Sequence, residues 1–195
     1  MTHALAAAGT GTTDLITERI IDAALAEFTE FGLRRVKVDD IARRAGIHRV
    51  TVYTRFANKN DIVTAAAITW AQRFFTSVAE AVDGLPDEDR LVEGFVLCVQ
   101  TMRTDPLITR MLATEPDIAL PFITTDGGPV LAAVTGFFVD QLSETPLADP
   151  TGAAELAARI GLSFLLTPQS HFKLATANQI RAFAQRHLAP LLTRA

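Results

Sequence analysis

Apolar residues recur every three or four positions along almost the whole chain, and that one period decides what it can fold into. From Asp14 to Phe31 the positions Ile16, Ile20, Ala24, Phe28 and Phe31 fall on one helical face, with Asp14 as a start signal and Gly32 as a stop. β-Branched residues are scattered, and no series of short alternating runs joined by hairpin turns occurs. The chain is therefore expected to be all-α. The spacing predicts further helices over 39–45, 48–56, 59–82, 88–103, 106–114, 116–123, 128–143, 152–166 and 176–193. Gly46 and the stretches "ANKND", "DGLPDED", "TDP", "EP", "TTDGGP", "ETPLADPTG" and "TPQSH" punctuate them.

A chain of 195 residues that is nearly half hydrophobic can bury a core as one or two domains. Its single cysteine, Cys98, lies in the apolar run "GFVLCVQ", which excludes an internal disulfide framework or a cysteine-cluster metal site and fits a reducing, cytoplasmic setting. The opening "MTHALAAAGTGTT" lacks a basic segment ahead of its apolar residues, so residues 1–13 are expected to be a flexible tail rather than a secretory signal. The longest uncharged apolar runs fall short of a membrane span.

Charge is distributed unevenly. Between Arg34 and Lys59 stand eight basic residues against two acidic ones, a local +6, whereas residues 61–195 hold nine basic and fifteen acidic side chains, a net −6. A short basic module on an acidic body is the footprint of a domain that meets phosphate, although a merely solvated basic face has the same composition.

Within that module a short helix, a glycine turn and a second helix follow one another, the pattern of a helix-turn-helix. At about 100° per residue, Val52 and Phe56 both point to a core, Val50 and Thr54 face away, and Thr51 and Tyr53 flank them. The outward face is small and amphipathic, as a surface pressed on base edges must be. Arg49 can reach a guanine edge or a phosphate, Arg55 and Lys59 can hold backbone phosphates, and His48 can cap the helix or meet a phosphate.

The stretch "RIIDAALAEFTEFGLRRVKVDDIARRAGIHRVTVYTRFANKNDIV", Arg19 to Val63, resembles the DNA-binding domain of the tetracycline-repressor-like (TetR) transcriptional regulators. The likeness is carried by Ala23-Ala24, Phe28, Phe31-Gly32, Asp40-Ile41-Ala42, Ala45-Gly46-Ile47, Val52-Tyr53, Phe56 and Lys59. It implies backbone contacts at Tyr53, Thr54, Arg55 and Lys59, and base contacts at Arg49, Val50, Thr51 and Tyr53. The chain departs from the family's usual residues at His48, Val50 and Thr54. Val50 replaces a glycine and can meet a thymine methyl. At Lys37-Val38 the family usually offers a threonine hydroxyl to phosphate, and Lys37 can supply charge there instead.

The resemblance further implies an N-terminal helix-turn-helix domain over 14–60 and a larger helical ligand-binding and dimerisation domain over 61–195. The expected partners are double-stranded DNA, a small-molecule effector and a second copy of the chain, with no membrane and no cofactor. Nine of the twelve phenylalanines lie beyond residue 70. Trp70, Phe74, Phe95, Met102, Met111, Phe122, Phe138 and Phe164 can line an apolar cavity, although side chains at helical spacing also simply fill cores. For a dimer, the helices at 128–143 and 152–166 carry small residues (Ala132, Ala133, Gly136, Ala153, Ala154, Ala157, Ala158, Gly161) that permit close packing, between chains or within one.

An enzyme is not expected. No G-x-S-x-G elbow, phosphate loop or dinucleotide fingerprint occurs, and His3, His48, His171 and His187 are too scattered for a metal site. A helical small-molecule binder without specific DNA binding is the alternative, and Arg49, Arg55 and Lys59 speak against it.

Overall fold

Helix α1 (Leu15–Phe31) forms as the period predicts, burying Ile20, Ile21, Ala24 and Phe28, and ends where Gly32 takes φ 84°. The computed structural model describes residues 15–141 and 149–190; the expected tail and the cap at Asp14 lie outside them. The described residues form ten helices and no strand, so the fold is all-α.

Three helices follow α1 up to the first acidic break, and a fourth starts within it. Helix α2 is Val38–Ala45 and α3 is Arg49–Tyr53; α4 is Lys59–Val82 and α5 is Asp87–Thr104. Asn58 caps α4 as its position suggests, its Oδ1 accepting from the Asp61 N–H at 3.1 Å. Beyond these lie α6 (Pro106–Thr114), α7 (Pro116–Ile123), α8 (Gly128–Gln141), α9 (Pro150–Leu166) and α10 (Ala177–His187). Caps fix the starts: Asp105 accepts from Leu107 and Ile108, and Thr176 forms a reciprocal box with Gln179.

Three helices differ from expectation for local reasons. Helix α3 stops at Tyr53 rather than Phe56: the Arg55 and Phe56 N–H groups both turn to the Val52 carbonyl, closing the last turn before the chain reverses at Asn58. Helix α9 begins at Pro150, since proline suits a first turn whose cap is Asp149, accepting from Gly152 N–H at 2.8 Å. Helix α10 closes at His187, with Leu188 and Ala189 bonded back to Ala184 ahead of Pro190, and residues 191–193 of the expected helix lie outside the described residues.

The chain divides into two compact units, Met1–Trp70 and Ala71–Ala195, with the division inside α4. In the first, Ile20, Phe28, Ile41, Val52 and Ile62 make the centre of the core. Two arginines set the angle of α2 on α1: Arg44 pairs with Glu27 at 3.3 Å and Glu30 at 2.7 Å, and Arg19 donates to the Ala45 carbonyl at 2.6 Å. In the second unit Leu91, Phe95, Phe138, Ile180 and Leu188 are fully buried, and α5 packs on α8, α9 and α10.

The small-residue helices α8 and α9 pack along one another within the chain. Ala153, Ala154, Ala157 and Ala158 of α9, which packs on α5 as well as on α8, are buried, whereas Ala132, Ala133 and Gly136 of α8 are exposed. Intrachain packing thus accounts for the alanines of α9. Among the described residues no single helix is long and apolar enough to cross a membrane.

Candidate nucleic-acid interface

The turn between α2 and α3 depends on Gly46, which adopts φ 64° and lets Ile47 N–H return to the Ala42 carbonyl at 3.0 Å. Helix α3 then leaves with Val52 fully buried and Phe56 buried beneath its end, so the remaining face looks outward. On it Val50 is 74% exposed, an unusual position for a branched hydrocarbon side chain. Arg49, Tyr53, Thr54 and Arg55 are exposed as well, and Thr51 is half-buried. His48 stands at the cap position of α3, but its side chain makes no capping bond. Of the two tasks open to it from sequence, capping is not performed.

Beside α3 lies an open cleft lined by Arg34, Val36, Lys37, Val38, Asp39, Arg49, Tyr53 and Lys59. Four sequence-predicted residues, Lys37, Arg49, Tyr53 and Lys59, meet there; His48, Val50, Thr51, Thr54 and Arg55 are not part of its lining. Lys37 is exposed at the cap position of α2, where a lysine has no acceptor to offer the helix. Asp40 satisfies the end instead: its Oδ2 accepts from the Lys37 N–H at 2.9 Å and its Oδ1 from Arg43 at 2.5 Å. The Lys37 N–H, and then Arg43, hold the Asp40 carboxyl below the usual carboxylate range. Lys59 is half-buried and donates through Nζ to the Leu33 carbonyl, joining the start of α4 to the turn after α1.

Arg49 is held from two sides in the cleft. It donates to Asp39 at 3.1 Å and to the Tyr53 hydroxyl at 3.3 Å, and its guanidinium carbon lies 5.2 Å from the Tyr53 ring centroid. The bond to Tyr53, and then the charge of Asp39, raise its pKa above the ordinary arginine value. The sequence assigns no role to Arg34 and Asp39; their only signal is their place within the charged stretch. The local +6 is also partly offset, because Arg44 is paired with Glu27 and Glu30 of α1, outside the counted window.

The residues expected to line a ligand cavity are distributed unevenly. Trp70 falls in the first unit and is half-buried. Phe74, Phe95 and Phe138 are buried, Met102, Met111 and Phe164 are half-buried, and Phe122 is 60% exposed. Two aromatic rows account for half of them. Phe74, Phe75, Phe137 and Phe138 form one, with Phe75 stacked on Phe137 at 4.8 Å. Phe95 and Phe164 both meet Phe183, at 6.1 and 5.2 Å, in the other. Cys98 is buried on α5, and burial pushes its thiol up to about 12, so it is an inert filler at neutral pH.

Comparison with known proteins gives a consistent picture. Residues 20–66 match the family model of bacterial regulatory proteins, tetR family, and residues 88–186 match that of the bacterial tetracyclin repressor, C-terminal domain. The HTH-type transcriptional regulator AlkX of Mycobacterium tuberculosis (strain ATCC 25618 / H37Rv) is 25% identical over 184 residues, spanning 89% of this chain and 87% of that protein. Among solved structures, the TetR family repressor AlkX from Dietzia sp. strain DQ12-45-1b, implicated in biodegradation of n-alkanes, has a TM-score of 0.68 and 26% identity. It covers 94% of this chain and is itself covered over 98% of its length. The fatty acid degradation regulator FadR from Bacillus halodurans shares the fold, with a TM-score of 0.62 and 18% identity over 89% of this chain and 96% of that one.

Proposed function

This chain belongs to the tetracycline-repressor family and is a DNA-binding transcriptional regulator, and on that premise we propose that it acts as a homodimeric repressor of a palindromic operator. The observation that carries the reading is the division of α3 by face. Val52 is committed to the core, while Val50, Arg49 and Tyr53 stand outward beside a cleft that also holds Lys37 and Lys59. In this reading Arg49, Val50, Thr51 and Tyr53 meet base edges; Lys37, His48, Thr54, Arg55 and Lys59 hold phosphates and set the register. Two copies related by a two-fold axis place two such helices on one face of DNA.

Release follows from a small, largely apolar effector taken up by the second unit. The apolar character of that unit supports this, as does the likeness to a repressor implicated in n-alkane biodegradation. An aliphatic chain is the effector class it suggests. Displacing packed rings such as Phe74, Phe95 or Phe138 would shift helices on which the spacing of the two readers depends.

Selection of bound fragments from random DNA, followed by a salt titration, tests the reading. A palindrome with half-sites about one helical turn or more apart is expected, with affinity falling steeply as salt rises. Enrichment of no sequence would overturn specific recognition. The effector arm is read by adding medium- and long-chain aliphatic compounds to the complex: release with saturation is expected, and unchanged binding across the series would remove an aliphatic effector from the proposal.

A further inference from the structure

Two adjacent aspartates open α2, and they do different work. Asp40 serves its own helix, bonding Lys37 N–H and Arg43. Asp39 reaches across to α3, where its Oδ2 accepts from Nη1 of Arg49 at 3.1 Å. The same guanidinium donates through Nη2 to the Tyr53 hydroxyl at 3.3 Å and stands over the Tyr53 ring. One carboxylate and one ring from different helices thus hold the arginine from two sides, yet 59% of its side chain remains exposed.

Such an arrangement contributes little to stability, because water screens an exposed pair and both side chains lose rotamer freedom. For phosphate binding it is counterproductive, since Asp39 puts a negative charge into a cleft shared with Arg34, Lys37 and Lys59. Orientation is what it does achieve. A bidentate contact with the O6 and N7 of guanine requires the guanidinium plane to be fixed, and fixing it beforehand reduces the freedom lost on binding. Asp39 and Tyr53 occupy two of its five N–H donors, so three remain, which suffices for a bidentate contact.

We propose that Asp39 is a positioning residue that, together with Tyr53, presents the Arg49 guanidinium to a guanine edge, so that a side chain of α2 sets the preference at one operator base pair. The proposal rests on the reading of α3 as the recognition helix.

The test is selection from random DNA by the full chain, compared with Arg49→Ala, Asp39→Ala, Asp39→Asn and Asp39→Glu. Arg49→Ala marks the base pair concerned by losing its guanine preference. Asp39→Ala and Asp39→Asn are expected to lose about tenfold of the preference at that same pair, within the range one bidentate contact supplies. Their binding to unrelated DNA should stay equal or rise, because a charge that repels phosphate has gone. Asp39→Glu should restore part of the preference. Thermal melting of each variant confirms folding, and Asp39→Asn keeps the side-chain shape should Asp39→Ala fail to fold. An Asp39→Asn profile that superimposes on wild type at the Arg49 position overturns the proposal. So does a loss spread evenly over all positions, or an Arg49→Ala profile that changes nowhere. If wild type itself enriches no sequence, the recognition-helix reading has failed and takes this proposal with it.

Discussion

Arg181 of α10 grips Glu93 of α5 with two parallel hydrogen bonds, Nε to Oε1 and Nη2 to Oε2 at 2.8 Å, while its Nη1 is held by Asn178 at 2.9 Å. The bond from Arg181 holds the Glu93 carboxyl below its ordinary value. A depressed carboxyl contributes stability that is present above the unfolded pKa near 4.5 and is lost as pH falls through the lower folded value. Glu93→Gln should therefore lower Tm by about 1–4 °C at pH 7, the scale of a partly exposed pair worth roughly 0.5–1 kcal/mol. Melts from pH 7 to pH 3 check this: the gap from wild type should hold down to about pH 5 and close below. A gap that ignores pH would mean the charge contributes nothing.

Lys59 has a structural bond as well as a proposed phosphate, which sets it apart from Lys37. Lys59→Ala removes the donor to the Leu33 carbonyl and should both weaken DNA binding and destabilise the first unit by about 1 kcal/mol. Lys37→Ala, at an exposed position whose side chain does not cap α2, should flatten the slope of log affinity against log salt by about one without moving Tm. Binding isotherms at several salt concentrations, with melts in parallel, distinguish them. A Tm loss for Lys37→Ala, or none for Lys59→Ala, would reverse the assignment.

Local rules made most of the fold legible. Periodicity placed the helices, and glycine marked the ends of α1 and α2, because these signals act within a few residues. Val52 is separable from Val50 for the same reason: 100° per residue is a property of α3 alone. Lys59 meeting Leu33, 26 residues upstream, and Asp39 meeting Arg49 across two helices depend on interhelical angles, which no local period encodes. The alanines of α9 illustrate a further ambiguity. Small residues announce close packing without naming the partner, and only the path of the chain brings α5 and α8 against α9. Aromatic residues behave similarly, since Phe138 and Phe122 read alike in sequence but end buried and exposed.

Gly46 is constrained by backbone and neighbour together. Its φ of 64° disfavours any side chain, and an added Cβ would stand 3.3 Å from Nη2 of Arg19, the nitrogen that donates to Ala45. Gly46→Ala should thus cost about 1–2 kcal/mol for the left-handed backbone and more if the Arg19 bond is displaced. Gly84→Ala provides the comparison, with φ 75° and open space around the added methyl. Denaturant unfolding should find Gly46→Ala the more damaging, and adding Arg19→Ala should shrink the difference. Equal costs would show that Arg19 simply swings aside.

Val50 and Val52 offer the sharpest separation of fold from function, being the same side chain two residues apart on one helix. Val52 is fully buried, so Val52→Ala removes two methyl groups from a packed core and should cost about 2 kcal/mol. Val50 is 74% exposed, and Val50→Ala should change stability by less than about 0.5 kcal/mol. In DNA selection the order should invert. Val50→Ala should relax the preference for thymine at one position, because Val50 and Tyr53 are the large apolar side chains α3 presents outward. Val52→Ala should keep the preferred sequence and lose only the fraction of folded protein. If Val50→Gly instead binds more tightly and with the same preference, the branched side chain is holding the helix away from the groove, and the thymine contact should be abandoned in favour of readout by Arg49 and Tyr53 alone.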